Sequence, residues 1–384
     1  MVPGGKNLAI SGERFSVHYQ LSCLPDQATA LARYICYEQT VEFPEDLIPD
    51  GDIKNFLTGR IESLTKIRDS TFLAEISYAS EVTGMEFPQF LNTLFGNISI
   101  LPGIRITDII LPESMSTLSP GSRFGSTGIK KLLYAEGRPL VCSALKPLGL
   151  SSEELADQAY QFAAGGLDLI KDDHGITNQQ FSPFKERVQR CSDAVQEANL
   201  KYGTKTLYLP NISGPVDRIF KWARFAKEAG AGGLLIAPGL TGWDTMKSIA
   251  EDDSLSLPVM AHPAFTGTYV QSPTSGLSHG VLYGLLMRLA GADMTVFPNY
   301  GGRFSFSESE CNDIVSGCTK PFSQTKPILP APGGGMTTER LSGLIDFYGR
   351  DFVMLIGGGL HRYSPSLIKN SRHFMNEVKK ACPV

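Results

Sequence analysis

Between residues 139 and 359 the sequence keeps one beat: a short apolar run, a turn, then a segment with helical spacing. The runs are "PLVCSALK" (139–146), "LDLIKDD" (167–173), "TLYLPNI" (206–212), "GLLIAPG" (233–239), "PVMAHP" (258–263), "MTVFPN" (294–299), "PILPAPGG" (327–334) and "FVMLIGGG" (352–359). Between the first two, Ser151 and Glu154 read as a capping box, followed by Leu155, Ala159, Phe162 and Ala163 on one helical face. A later stripe comprises Ile219, Trp222, Ala223 and Ala226. Eight strands alternating with helices over about 250 residues are what a (β/α)8 barrel requires, and a doubly wound open sheet seldom has so many regular units. The region before it looks different. "RFSVHYQL" (14–21), "TFLAEISYA" (71–79) and "GIRITDIILP" (103–112) read as strands, and "DQATALARYICYEQT" (26–40) and "FPQFLNTLFG" (87–96) as helices. The expected organisation is an α+β N-terminal domain over residues 1–125, followed by a (β/α)8 TIM barrel over 126–384.

In such barrels the chemistry gathers at the C-terminal ends of the strands. The unusual residues of this chain fall there repeatedly. Strand 1 ends at Lys146, strand 2 at Lys171-Asp172-Asp173-His174, strand 3 at Asn211 and strand 5 at His262. Strand 7 runs into Gly333-Gly334-Gly335 and strand 8 into Gly357-Gly358-Gly359. Alternation along a strand puts Lys171 and Asp173 on one face and Asp172 on the other. Three readings of Lys171 stand side by side. It is half of a buried ion pair; it is a Schiff-base lysine, against which the adjacent carboxylates argue by raising its pKa; or it carries CO2 as a carbamate. The last turns a cation into an oxygen ligand that Asp173 and His174 would complete as a divalent-metal site. The glycine runs suit backbone amides that bind a phosphate, or else tight turns that need positive φ. His279 heads a helical segment, and His18, His361 and His373 read as surface or structural.

Composition narrows the function classes. Charged residues make up 19% of the 384, hydrophobic ones 42%, and the formal charge is −4 with scattered basic residues. Nothing calls for nucleic acid or an anionic membrane, and no apolar run is long enough to span a bilayer. The N-terminal "MVPGGKNLAISGERF" lacks a charged-then-apolar signal pattern, so a cytoplasmic protein is expected. Seven cysteines without a CxxC pair read as reduced thiols.

These residues together resemble the ribulose-bisphosphate carboxylase (RuBisCO) superfamily over most of the chain. "GGLDLIKDDH" is similar to the family's carbamate-lysine motif GGxDxxKDDE, and "ALKPLGLS" to its KPKLGLS strand. "LPAPGGG" and "LIGGG" resemble its phosphate loops. "ICYEQTVEFP" places Glu38, and "LFGNISIL" places Asn97, where the family keeps a glutamate and an asparagine of its N-terminal domain. The spacing from His279 to Arg288 and Asp293 also follows the family. The resemblance implies a homodimer whose shared active sites join one subunit's barrel to the other's N-terminal domain. It also implies a lysine carbamate from CO2 and a divalent cofactor, Mg2+ or Mn2+, on Lys171, Asp173 and His174. With an imidazole as ligand, Mn2+ should bind comparatively well.

The departures point away from CO2 fixation. The second lysine of KPK is missing, the arginine after the strand-5 histidine is Pro263, and the loop-6 lysine is Arg303. The phosphate-binding serine after strand 7 is Gly333, and the metal-ligating glutamate is His174. The chain resembles the RuBisCO-like branch, whose activities are enolase, isomerase and decarboxylase reactions on sugar phosphates. One phosphate is expected, at the glycine turns 333–335 and 357–359 with help from Arg303. The opposite end, lacking a guanidinium, keeps His279 as its donor. Lys146 is expected as acid/base, and His262 and Asn211 as substrate contacts. The pieces most resemble proteins that decarboxylate or cleave 3-oxo-isoapionate 4-phosphate. The alternatives are a methionine-salvage enolase or isomerase on a methylthio-pentulose phosphate, and a non-catalytic regulator.

Overall fold

The computed structural model describes residues 8–302, 304 and 306–383. Its strands in chain order are β1 (Arg14–Ser22), β2 (Arg60–Arg68), β3 (Thr71–Ala79), β4 (Ile104–Ile110), β5 (Leu140–Leu145), β6 (Leu169–Asp172) and β7 (Leu207–Leu209). They continue with β8 (Leu234–Ile236), β9 (Val259–Ala261), β10 (Gly276–Leu277), β11 (Met294–Pro298), β12 (Leu329–Gly333) and β13 (Val353–Ile356). Two compact units result. One comprises Met1–Pro120, Thr266–Leu286 and Pro321–Thr325; the other comprises Gly121–Phe265, Met287–Lys320 and Lys326–Val384. Two short pieces of the 126–384 stretch therefore group with the first unit.

The first unit is a mixed sheet ordered β10-β4-β1-β3-β2, in which only the β10–β4 pair is parallel. In β1 every second residue, Phe15, Val17, Tyr19 and Leu21, is fully buried, as a half-covered strand requires. Tyr19 donates to the carbonyl of Leu94 at 2.8 Å and meets the Tyr78 hydroxyl at 2.9 Å, so the buried phenols are satisfied. The helix Ala28–Glu38 buries Ala28, Ala32, Ile35 and Cys36. β2 was not anticipated from the sequence. Its apolar residues Ile61, Leu64 and Ile67 recur every third position, and its register against β3 shifts at 61/63 and at 66/68. Bulges hide the period of two that marks a strand.

The second unit is the expected barrel, ordered β7-β6-β5-β13-β12-β11-β9-β8. All eight anticipated runs form its strands, and the ladders between them are parallel. Between the end strands β7 and β8 there is one isolated parallel bridge, Asn211 with Leu235, so the ring is nearly closed. Leu140, Cys142, Leu169, Leu209, Leu235, Met260, Met294, Leu329 and Val353 fill one buried cluster drawn from all eight strands. Such a filled interior leaves only the strand ends for chemistry. The helix Ser152–Ala164 begins with the anticipated capping box of Ser151 and Glu154. The helix Val216–Glu228 buries Ile219, Trp222, Ala223 and Ala226. No helix among the described residues is long and apolar enough to cross a membrane. All seven cysteines are free thiols.

Candidate active site

The four ionisable residues at the end of β6 have different surroundings. Asp172 is fully buried and faces outward. Its carboxylate accepts from Arg187 Nε at 3.1 Å, Tyr208 Oη at 2.8 Å and the Asn211 amide at 2.9 Å. Arg187, from the helix Phe184–Tyr202, is itself fully buried. Burial of this acid is offset by a guanidinium and two neutral donors. Lys171 is also buried, and its Nζ donates to the Asp172 carbonyl at 3.0 Å. Burial pulls its pKa below the usual lysine value, against the opposing pull of nearby acidic groups.

Asp173 is reached by Lys146 from the end of β5, with Nζ 2.8 Å from Oδ2. The Gly175 amide donates to Oδ1 at 3.2 Å. Burial pushes the Asp173 carboxyl up, but Lys146, Lys171 and that amide outweigh it and hold the group below the ordinary carboxylate value. Lys146, expected as an acid/base, is thus in an ion pair with Asp173. Its backbone is fixed as well, because Gln158 accepts from the Lys146 amide at 3.2 Å and donates to its carbonyl at 2.6 Å.

His262, at the end of β9, stacks on His174 with ring centroids 4.4 Å apart and planes 13° apart. Burial first, and the positive Lys171 next, push its pKa down to about 2, so the imidazole is neutral. Its Nδ1 accepts from the Ala264 amide at 3.2 Å, which leaves the proton on Nε2. His174 Nδ1 lies 3.4 Å from Asp173 Oδ1. No group of three or more His, Cys, Asp and Glu side chains able to hold a metal occurs among the described residues. The expected set offers two such side chains, Asp173 and His174, and needs its third donor from Lys171. The donor chemistry fits: an oxygen and a nitrogen donor lie 3.4 Å apart next to a buried lysine, and burial shifts that lysine toward the neutral amine that CO2 requires.

Asn211 is almost fully buried, and its side chain is occupied. Nδ2 donates to the carbonyls of His174 and Ile176, each at 3.0 Å, and Oδ1 accepts from the Ser213 amide at 3.0 Å. In this structure it braces the turn that carries Asp173 and His174. After β12 the chain turns through left-handed Gly334 and Gly335. After β13, Gly357 precedes a six-residue helix, Gly358–Tyr363, at whose start Gly358 and Gly359 lie. Within the first unit, Glu38 and Asn97 meet: Asn97 Nδ2 donates to Glu38 Oε1 at 2.9 Å and to Glu42 Oε1 at 3.2 Å. His279 is buried immediately before the π-helical turn Gly280–Leu286 of that unit. Arg303 lies outside the described residues.

Sequence reasoning missed Gln158, which holds the Lys146 backbone, and Arg187 and Tyr208, which hold Asp172 between the candidates Lys171 and Asp173. Gln158 and Arg187 lie on amphipathic helices, where a polar residue reads as solvated unless its strand-end partner is known. His361, read as surface or structural, has Nε2 buried without a hydrogen-bond partner and its ring 5.8 Å from that of Phe162, edge to face. Burial, and then Lys146, lower its pKa.

Residues 126–367 match the family model of the ribulose bisphosphate carboxylase large chain, catalytic domain. The chain is 34% identical to the 5-methylthioribulose-1-phosphate isomerase of Rhodospirillum rubrum over 370 residues, 96% of this chain and 97% of that protein. It is also 34% identical to the 2,3-diketo-5-methylthiopentyl-1-phosphate enolase of Bacillus licheniformis over 327 residues, 84% of this chain and 80% of the relative. Among solved structures, a Rubisco-like protein from Rhodopseudomonas palustris superposes with a TM-score of 0.85 at 36% identity, covering 96% of this chain and 98% of that one.

Proposed function

This chain belongs to the ribulose bisphosphate carboxylase large-chain family, in its RuBisCO-like branch, and on that premise we propose that it moves a proton beside the ketone of a methylthio-pentulose phosphate. The isomerase reading comes first, because the relative of that name aligns along almost its whole length. The enolase reading is its neighbour, since both reactions pass through an enolate. The 3-oxo-isoapionate 4-phosphate reading has only the resemblance of sequence pieces behind it, and neither enzyme named above carries a decarboxylase activity in its name.

One observation carries the proposal: two lysines of different character stand at the barrel mouth, and one of them pairs with Asp173. Lys171 is buried and fixed, whereas Lys146 is half-exposed and points at Asp173 from the neighbouring strand. Lys171 as a carbamate, Asp173 and His174 would hold a divalent ion, and such an ion would polarise the ketone oxygen. Lys146 takes or returns the proton, with Gln158 holding its backbone. His262, kept neutral, offers Nε2–H to a substrate hydroxyl. The glycine turns at 333–335 and 357–359 receive the single phosphate through backbone amides. In a homodimer, Glu38 and Asn97 of the partner subunit would complete the site.

The experiment is proton NMR in D2O, with Mg2+ or Mn2+ and bicarbonate present. The substrates are 5-methylthioribulose 1-phosphate, 2,3-diketo-5-methylthiopentyl 1-phosphate and 3-oxo-isoapionate 4-phosphate. Deuterium entering beside the ketone of a methylthio substrate is expected. Release of CO2 from the third compound, with neither methylthio substrate turned over, overturns the reading; silence on all three leaves the regulator.

A further inference from the structure

The two loops beside the proposed phosphate turn are joined by one side chain. Arg340 ends the short turn Thr338–Arg340 that follows the glycine run. Its NH1 donates to the Gly335 carbonyl at 3.1 Å, and its NH2 donates to the Tyr300 carbonyl at 3.2 Å. The guanidinium carbon also sits 5.4 Å from the Tyr300 ring centroid, within cation–π range. One planar group thus bridges the loop after β11 and the turn after β12.

The backbone around it is cut to fit. A Cβ on Gly335 would lie 2.9 Å from Arg340 NH1, and one on Gly301 would lie 3.3 Å from NH2. A Cβ on Gly302 would come within 3.1 Å of the Gly334 carbonyl oxygen, so the two loops lie against each other. Their roots are joined too. The Asn299 amide donates to the Gly333 carbonyl at 2.9 Å, and the Tyr348 hydroxyl donates to Asn299 Oδ1 at 2.6 Å. The bond at the root fixes the strand ends. Arg340 is what fixes the crown.

We infer that Arg340 is a positioning residue for phosphate binding. It sets the spacing between Tyr300–Gly302 and Gly333–Gly335 and so aims the turn's amides at the anion. The inference rests on the proposed reading of that turn as the phosphate site. A lysine replaces it only in part, because a single ammonium does not present the paired, coplanar donors that reach two carbonyls on opposite sides.

The test uses the full-length protein with Mg2+ and bicarbonate, and inorganic phosphate as the probe in calorimetry. Arg340→Met should weaken phosphate binding about tenfold or more, the scale of losing charge-assisted hydrogen bonds. The KM for 5-methylthioribulose 1-phosphate should rise by a similar factor with kcat little changed, and Arg340→Lys should recover only part of the loss. In Arg340→Ala, guanidinium ion at low millimolar concentration should restore phosphate binding, which a general loss of stability would not allow. Wild-type affinity and KM in both Arg340→Met and Arg340→Lys overturn the inference if Gly334→Ala still abolishes phosphate binding, because the phosphate site then stands without Arg340. If Gly334→Ala leaves phosphate binding intact, the phosphate reading of the turn falls, and the inference falls with it.

Discussion

Lys146 Nζ lies 2.8 Å from Asp173 Oδ2, joining the ends of two adjacent barrel strands by an ion pair that is half exposed on the lysine side. Such a pair contributes about 0–1 kcal/mol to stability. A positioned proton-transfer group is worth about 10²–10⁴ in rate. The two roles therefore separate in one variant. Lys146→Met should lower kcat by about 10²–10⁴-fold while the unfolding free energy moves by less than about 1 kcal/mol. Deuterium exchange into substrate and urea unfolding measure the two quantities, and a full-rate Lys146→Met enzyme removes the lysine from the mechanism.

Lys171 should take up CO2. With 13C-bicarbonate and Mn2+, the protein should show a carbamate carbonyl signal by 13C NMR once the paramagnetic ion is replaced with Mg2+. Lys171→Ala should lack the signal. Because His174 contributes an imidazole where a carboxylate would suit Mg2+ better, Mn2+ should half-saturate activity at a lower concentration than Mg2+. His174→Glu should narrow that preference. A bare lysine under saturating bicarbonate and metal would leave only the buried amine bonded to the Asp172 carbonyl.

Glu38 and Asn97 provide a test of assembly. Their hydrogen bond at 2.9 Å lies within the first unit. Glu38→Gln and Lys171→Ala subunits, each inactive alone, should regain part of the activity when mixed into heterodimers. Heterodimers demonstrated by native mass spectrometry but devoid of activity would show that Glu38 and Lys171 do not serve one site from different subunits.

Asp293 carries a pH dependence away from the site. It is fully buried at the start of β11, and burial raises its pKa to about 6. The amides of Val259, Gly125 and Phe124, at 3.0, 2.8 and 2.7 Å, pull the other way. Between about pH 4 and pH 6 the unfolded chain releases this proton before the folded one does. Folded protein then holds more protons than unfolded, so this group's contribution is full below about pH 4 and declines until about pH 6. At about 1.4 kcal/mol per pKa unit, the decline totals roughly 3 kcal/mol. Urea titrations across that range should show the component in wild type and not in Asp293→Asn.

The barrel was legible because each strand is short, apolar and followed by a helix with its own stripe, a pattern local in sequence. The first unit was legible where strands alternate, as in Phe15, Val17, Tyr19 and Leu21. It was lost where bulges broke the period in β2, or where only Gly276 and Leu277 pair with β4. The chemistry-bearing residues stood out because Lys171, Asp173 and His174 are costly at the end of an apolar run. Their supports did not. Arg187, Tyr208 and Gln158 lie 12 to 36 residues from the groups they hold, and Arg340 lies 40 from Tyr300. Nothing in local composition distinguishes them from solvated polar residues. Asn211 shows the converse. It stands at a strand end like a substrate contact, yet its amide is engaged by the carbonyls of His174 and Ile176.

Asp172 and Asp173 are neighbours in the chain and opposites in their obligations. Asp172 answers to the architecture through a helix, an adjacent strand and a loop amide. Asp173 and His174, on the proposed reading, answer to the ion and substrate at the mouth. A replacement at 172 would be felt throughout the barrel, whereas on the proposed reading one at 174 would alter the ion or the substrate and leave the scaffold standing. The alternation of a single strand thus uncouples the heritable frame from the variable chemistry. A lineage can try a histidine where the resembled motif has a glutamate without first having to rebuild the fold around it.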